Sequence, residues 1–382
     1  MLAAANLLAR FTPDGGVRYL LPIELGAMNA ASAQRVHVML DTGSSFLMVL
    51  DDGQHACGPS EPVVYGSCYN ASASSTNVDD ASSGSSFGLA IDGLQIDGSF
   101  TAARDYLSLP GVAQADGPML VPIAEIGTVS SGAIGPRDLL AYFWADAAGV
   151  LGLSPQLRTD RPQSWESYLQ ANFGSAFSLD LNPGGRSRLG LGPPNRSWAV
   201  GALQWSAAQN QPSFHRLEMF EIEMCGAGLI GAQSSYWPAL VDTGASCVGL
   251  PDVLFDALFS WLAVANCSAP RSPTTKCSVP ASVAPLSLPP LSFRLRHNAP
   301  PLELRLEELL LPAAPDGTRE ICILPLPPPA SATPPWPAPW PQPIILGTQV
   351  CSCTPLPPLS PLTLPPPAPL SRPSRPSCRP SR

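Results

Sequence analysis

The sequence predicts an all-β chain folded as two similar lobes, and three features of its 382 residues carry that prediction. Strand-like apolar segments recur along both halves, while helical periodicity is confined to two short stretches. The tripeptide Asp-Thr-Gly occurs twice, in VHVMLDTGSSFLMVL (36–50) and ALVDTGASCVGL (239–250), each time at the end of an apolar run. Each copy is followed by an apolar-apolar-Gly stretch at a similar distance. Gly152 of GVLG lies 111 positions after Asp41 (152 − 41), and Gly347 of IILG lies 105 after Asp242 (347 − 242). Repeated order at repeated spacing marks an internal duplication.

VRYLLPIEL and VHVML read as strands leading to Asp41, and residues 51–86, rich in Ser, Asp, Gly and Asn, read as loop. FGLAIDGLQID (87–97) and FTAARDYLSL (100–109) read as a hairpin with Asp-Gly turn signals. SWESYLQANF (164–173) has helical periodicity, and the strands FSLDL and RLGLG follow it. The second half repeats the order. FHRLEMFEIEM is a strand, PDVLFDALFSWL (251–262) an amphipathic helix with Pro at its start, and LSFRLRH, PLELRLEELLL and PIILG are strands. The expected divisions are an N-terminal extension (1–16), a first β lobe (17–198), a second, incomplete β lobe (199–353) and a Pro-rich disordered tail (354–382).

A composition of 45% hydrophobic and 13% charged residues is that of a chain with a large core. The formal charge of −8 argues against a nucleic-acid partner, which requires a basic face. No apolar run reaches the roughly 18 residues of a membrane-spanning helix. MLAAANLLARFTPDGG is too short and weakly apolar for a signal peptide, so either the protein is cytosolic or its true start is missing. The ten cysteines favour the second reading. None forms a CxxC pair or a zinc-type spacing; Cys57 and Cys68 flank a short loop, and Cys277 and Cys322 flank a long apolar segment, as suits an oxidising compartment. N-x-S sequons at Asn70, Asn195 and Asn266 point the same way, toward a glycoprotein that is extracellular or held in a vacuole- or lysosome-like compartment. Lys276 is the only lysine, a sign of GC-rich coding bias. An out-of-frame or unspliced read of such a gene yields Pro/Arg/Ser-rich sequence, so the tail is expected to be a gene-model artefact or a truncated isoform rather than a ligand for SH3-type partners.

One Asp-Thr-Gly is a turn signal; two in matched settings suggest a pair. Two carboxylates within hydrogen-bond reach cannot both ionise cheaply, so they share a proton and titrate together. One then deprotonates a water held between them while the other donates to a peptide carbonyl oxygen. Glycine after each Asp-Thr lets the corners approach without a Cβ clash, and the threonine hydroxyls can tie the loops together. His37, His55, His215 and His297 form no metal or triad spacing and are expected in surface or turn roles.

The chain resembles the pepsin-like aspartic proteases through DTGSS (41–45), AAGVLGLSP (147–155), DTGAS (242–246), IILG and the strand FSLDL, over about residues 17–350. The resemblance implies a bilobal β fold with a pseudo-twofold duplication, a monomer cleaving peptide or protein substrates at acid pH, and no metal or cofactor. By motif position it makes Asp41 and Asp242 catalytic, with Thr42, Gly43, Ser44, Thr243 and Gly244 in support. Cys57–Cys68 and Cys277–Cys322 fit the family's disulfide positions, while Cys225, Cys247 and Cys267 stay unassigned.

Three departures stand against full activity. The family's flap tyrosine is missing from LAIDGLQIDG, and Met48 stands where its tryptophan partner is expected, which leaves Ile91 and Leu94 to close over substrate by apolar contact. Ala245 lacks the hydroxyl that Ser44 supplies to the first corner, so Asp242 is expected to have fewer hydrogen bonds and to protonate more easily. The stretch after IILG cannot form sheet because its prolines lack ladder donors, which leaves a strand edge unpaired. The alternative function is a catalytically silent scaffold that binds peptides or acts as an inhibitor.

Overall fold

The strand Val17–Leu25 shows how the first lobe begins: nearly every side chain of VRYLLPIEL is buried, as in a strand covered on both faces. The computed structural model describes residues 3–12, 16–26, 33–51, 67–79, 85–91, 94–114, 117–130, 146–154, 164–174, 176–182, 185–199, 205–206, 215–231, 236–268, 275–326 and 344–347. Among these, an 11-stranded sheet gathers the strands from Ala3–Phe11 to Ser187–Leu191. An eight-stranded and a three-stranded sheet gather those from Arg216–Met224 to Ile344–Leu346. Each half has its own apolar core, one around Tyr19, Ile23, Leu40 and Tyr168, the other around Met224, Leu258, Leu306 and Ile323. Among the described residues two α-helices, α1 (Ser164–Phe173) and α2 (Asp252–Trp261), cover the sheets. Pro251 starts α2 from its N-cap, and Leu254, Phe255 and Leu258 bury one face, each contributing about 2 kcal/mol.

The duplication is explicit in the pairing around the two corners. Gln34–Asp41 runs parallel to Gly149–Gly152, with Asp41 opposite Gly152. The exit strand Leu47–Leu50 runs antiparallel to the same segment on its other side. In the second half Trp237–Val241 runs parallel to Ile344–Leu346, and Val248–Leu250 pairs antiparallel with that strand through Gly249 and Ile345. The apolar-apolar-Gly strand therefore lies between the strands entering and leaving each Asp-Thr-Gly corner. A Cβ on Gly152 would come 2.6 Å from Ser44 O, and one on Gly347 would come 2.9 Å from Ala245 O, so only glycine lets each loop cross its strand.

Several sequence expectations change. Within the expected N-terminal extension, residues 3–11 form a strand of the sheet, between Val17–Leu25 and Ser187–Leu191. The hairpin folds earlier than its second Asp-Gly suggests: Ser85–Ile91 pairs with Leu94–Ser108, and Ile91 lies opposite Leu94. Asp97-Gly98 is carried inside the long strand, ahead of a register shift at Ser99/Phe100. In PLELRLEELLL only Leu302–Leu304 is strand, and Leu306–Leu309 turns as a 3₁₀ helix that buries Leu306 and Leu309. The tail over 354–382 and Cys57 lie outside the described residues.

The expected Cys277–Cys322 bridge is replaced by two others. Cys277 is bonded to Cys267, its direct partner across an antiparallel pair, and Cys322 is bonded to Cys247. On its other side Cys277 lies opposite Ile321, so the alternation of the chain turns Cys322 to the opposite face. There it meets Cys247, since each of these two cysteines immediately precedes one of the parallel strands Val248–Leu250 and Ile323–Pro325. Cys68 and Cys225 are also disulfide-bonded.

Beneath the exit strand of the first corner lies a buried polar cluster. Asp105, with no exposed surface, accepts from Tyr69 Oη, Ser74 Oγ (2.7 Å), Thr76 Oγ1 (2.6 Å) and Tyr106 N (2.8 Å). Asn77 Nδ2 bridges Tyr69 Oη (3.0 Å) and Glu125 Oε1 (2.6 Å). Burial and the neighbouring Asp105 push the Tyr69 phenol above its ordinary pKa.

His37, on the strand entering the first corner, has its pKa lowered by burial and, secondarily, by Arg35. Its folded pKa thus lies below the unfolded value of ~6.5, and the unfolded chain takes up a proton that the fold resists. Stability is lost as pH falls through ~6.5, and the loss levels off once folded His37 protonates. His37→Gln is expected to lose less melting temperature between pH 7 and pH 5 than the parent; equal losses would count against this origin.

Candidate active site

Two loops of opposite lobes meet at the two Asp-Thr-Gly corners and hold each other by a reciprocal set of hydrogen bonds. Thr42 N donates to Thr243 Oγ1 (3.1 Å), and Thr243 N donates to Thr42 Oγ1 (2.9 Å). Thr42 Oγ1 in turn donates to Val241 O (2.7 Å), and Thr243 Oγ1 to Leu40 O (2.9 Å). Both threonines are buried, so each hydroxyl satisfies backbone groups that water cannot reach. Thr42→Val leaves Thr243 N and Val241 O without this partner and is expected to cost about 2–4 kcal/mol. A lowered denaturation midpoint checks it, and Thr243→Val should match by symmetry.

The glycines bring the carboxylates together. A Cβ added to Gly43 would come 2.7 Å from the Asp242 carboxylate. One added to Gly244 would overlap Asp41 Oδ1 and lie 3.1 Å from Asp242 Oδ1, so a single small atom at that point touches both side chains. Asp41 Oδ1 accepts from Gly43 N (2.7 Å). Asp242 Oδ1 accepts from Gly244 N (2.8 Å) and from Ala245 N (3.3 Å). Both aspartates are partly exposed, which leaves room for a reactant above them.

This reverses the expectation about the hydrogen bonding of the two acids. Ser44 Oγ is buried with no hydrogen-bond partner, so it gives Asp41 no support, while the backbone amide of Ala245 serves Asp242 without any hydroxyl. Asp242 is the better-served carboxylate. Met48 is buried beneath the first corner. Ile91 and Leu94 are backbone register partners, the last and first residues of their strands.

Sequence reasoning missed a third inter-lobe contact. Arg18, with no exposed surface, reaches from the first-lobe strand to donate to Ser246 Oγ, four residues beyond Asp242. An arginine inside the otherwise apolar VRYLLPIEL was the available signal. His215 Nε2 lies 3.0 Å from Leu153 O, and its ring packs edge-on against Phe177 at 5.5 Å, so this histidine joins the lobes rather than serving a surface turn. Among the described residues no three His, Cys, Asp or Glu side chains are grouped to hold a metal ion. None of the helices there is long and apolar enough to cross a membrane.

The family profile for eukaryotic aspartyl protease matches residues 18–336, most of the chain and both corners. The chain belongs to the eukaryotic aspartyl protease family. No curated protein matches it in a sequence search. Membership makes it one of a family of aspartic peptidases, hydrolases that act on peptide substrates. The mostly β, two-lobed architecture with one Asp-Thr-Gly in each lobe is the family's fold.

Proposed function

We propose that the protein is an aspartic endopeptidase in which Asp41 and Asp242 activate a water for attack on a peptide bond at acid pH. The mutual approach of the corners carries this reading, because each glycine sits against the other lobe's carboxylate. The two carboxyls share one proton as a coupled pair, in which Asp242, with the larger share of amide donors, takes the base role and Asp41 the acid role. Asp242 takes a proton from the water as its oxygen bonds to the peptide carbon, and Asp41 donates its proton to the carbonyl oxygen. As the tetrahedral diol collapses and the C–N bond breaks, Asp242 passes its proton to the leaving nitrogen and one diol hydroxyl returns its proton to Asp41 as the carbonyl re-forms. Acid pH keeps one carboxyl protonated, which this exchange requires.

Ile91 and Leu94, at the hairpin end, would contact substrate by apolar packing; unchanged kinetic constants in Ile91→Asp would refute that role. The family, the sequons and the disulfides support a monomer working in an extracellular or vacuole- or lysosome-like compartment. The deciding assay is cleavage of a denatured protein by the full chain. Cleavage near pH 4 that pepstatin blocks is expected, with little at pH 7. Pepstatin binding without any cleavage would instead support a silent peptide-binding scaffold.

A further inference from the structure

Three sequons stand in the sequence, and the fold treats them differently. At Asn195 the side-chain Oδ1 accepts from Ser197 N (3.1 Å) and Ser197 Oγ (2.8 Å), so the sequon is folded into a turn in which its own hydroxyl meets its own amide. At Asn70 the arrangement recurs: Oδ1 accepts from Ser72 Oγ (2.7 Å) and from Ala73 N (3.0 Å). Exposure does not separate the three: Ser72, Ser197, Asn266 and Ser268 are exposed, and Asn70 and Asn195 are half-buried. The Asn195 turn is anchored by Trp198, whose ring lies 4.3 Å from the Arg188 guanidinium.

At Asn266 the sequon is extended. Asn266 pairs with Ser278, and the middle residue Cys267 is bonded to Cys277 on the facing strand. The hydroxyl of Ser268 accepts from Lys276 N (3.0 Å), and Ser268 N donates to Lys276 O (2.9 Å), so the hairpin holds that serine away from Asn266.

We infer that Asn70 and Asn195 carry N-linked glycans and that Asn266 does not. The inference rests on the secretory part of the proposed function and is independent of the catalytic part. In the transfer, Asn Nδ2 bonds to the anomeric carbon of a lipid-pyrophosphate-linked oligosaccharide. The bond from that carbon to the pyrophosphate oxygen breaks, the lipid pyrophosphate leaves with the electron pair, and Nδ2 gives up one hydrogen as a proton. The turn contacts at both sites named above are accepted by Oδ1, which the linkage leaves intact, so a glycan leaves these contacts in place. At Asn266 the disulfide and the ladder hold the sequon extended, without the Asn-to-hydroxyl contact that the other two make.

The test is the full chain, placed behind a cleavable secretion leader, made in a eukaryotic host and read by glycopeptide mass before and after amidase deglycosylation. Two occupied sites are expected. Asn70→Gln and Asn195→Gln should each remove one glycan, Ser197→Ala should empty Asn195, Ser197→Thr should keep it filled, and Asn266→Gln should change nothing. Removing the lock with Cys267→Ser and Cys277→Ser together should raise occupancy at Asn266. Secreted protein with Asn266 filled as fully as the other two, or with Asn70 and Asn195 both empty, overturns the inference. Pepstatin-sensitive cleavage measured on the same secreted protein reports separately on the catalytic reading.

Discussion

Replacing Asp41 by Asn is expected to lower kcat for peptide hydrolysis by about a thousandfold or more, the size of a lost acid–base partner. Asparagine is nearly isosteric and keeps an Oδ1 that can accept from Gly43 N, so the thermal midpoint should stay close to that of the parent. Asp242→Asn should be as severe, because a neutral amide cannot take the water's proton. The double variant should be little worse than either single one, since residues acting as a unit do not contribute additively. Substantial residual activity at pH 4 in Asp41→Asn would sink the paired mechanism. A measured pH–rate profile for the parent reports the pair's two apparent pKa values rather than those of either acid.

The second large effect is structural and lies beneath the first corner. Asp105→Ala removes the one acceptor shared by the buried Tyr69 Oη and the half-buried Ser74 Oγ, Thr76 Oγ1 and Tyr106 N. Leaving buried donors unpaired is expected to cost about 3–5 kcal/mol, a large part of a domain's stability. Asp105→Asn keeps one acceptor oxygen and should cost less, and Tyr69→Phe removes one donor to Asp105 and one of the two acceptors of Asn77 Nδ2, for about 1–2 kcal/mol. Urea midpoints for the three variants should fall in that order. The effect should reach the active site because Tyr69 N donates to Leu50 O (3.1 Å), at the end of the strand that leaves Asp41. If Asp105→Ala melted like the parent, the cluster would not be holding that strand.

Much of the site was legible because its chemistry is local and repeated. Asp41 and Asp242 each follow an apolar strand and precede a glycine, and the 111 and 105 positions to Gly152 and Gly347 reflect the same loop crossing in each lobe. A near-continuous apolar run likewise located Val17–Leu25, and helical periodicity located α1 and α2. The hairpin was misplaced because two Asp-Gly pairs offer the same turn signal, and only pairing with Met119–Ser130 selects the first. The cysteine bridges were misread for a related reason. Flanking a segment says nothing about which face a cysteine takes, and that is set by its opposite number across the ladder.

By itself the sequence determined the duplicated β architecture, the two acids and the threonines beside them, since these follow from short motifs whose local geometry needs no distant partner. Only the tertiary structure decided which acid is better served, because the Ala245 amide and the unpartnered Ser44 hydroxyl depend on how each loop closes over its glycine strand. The same holds for Arg18 on Ser246, for Cys277 on Cys267 and for the contrast among the three sequons. Each is a contact whose geometry, and in several cases whose partner, no local pattern encodes, and register and lobe packing alone bring it about.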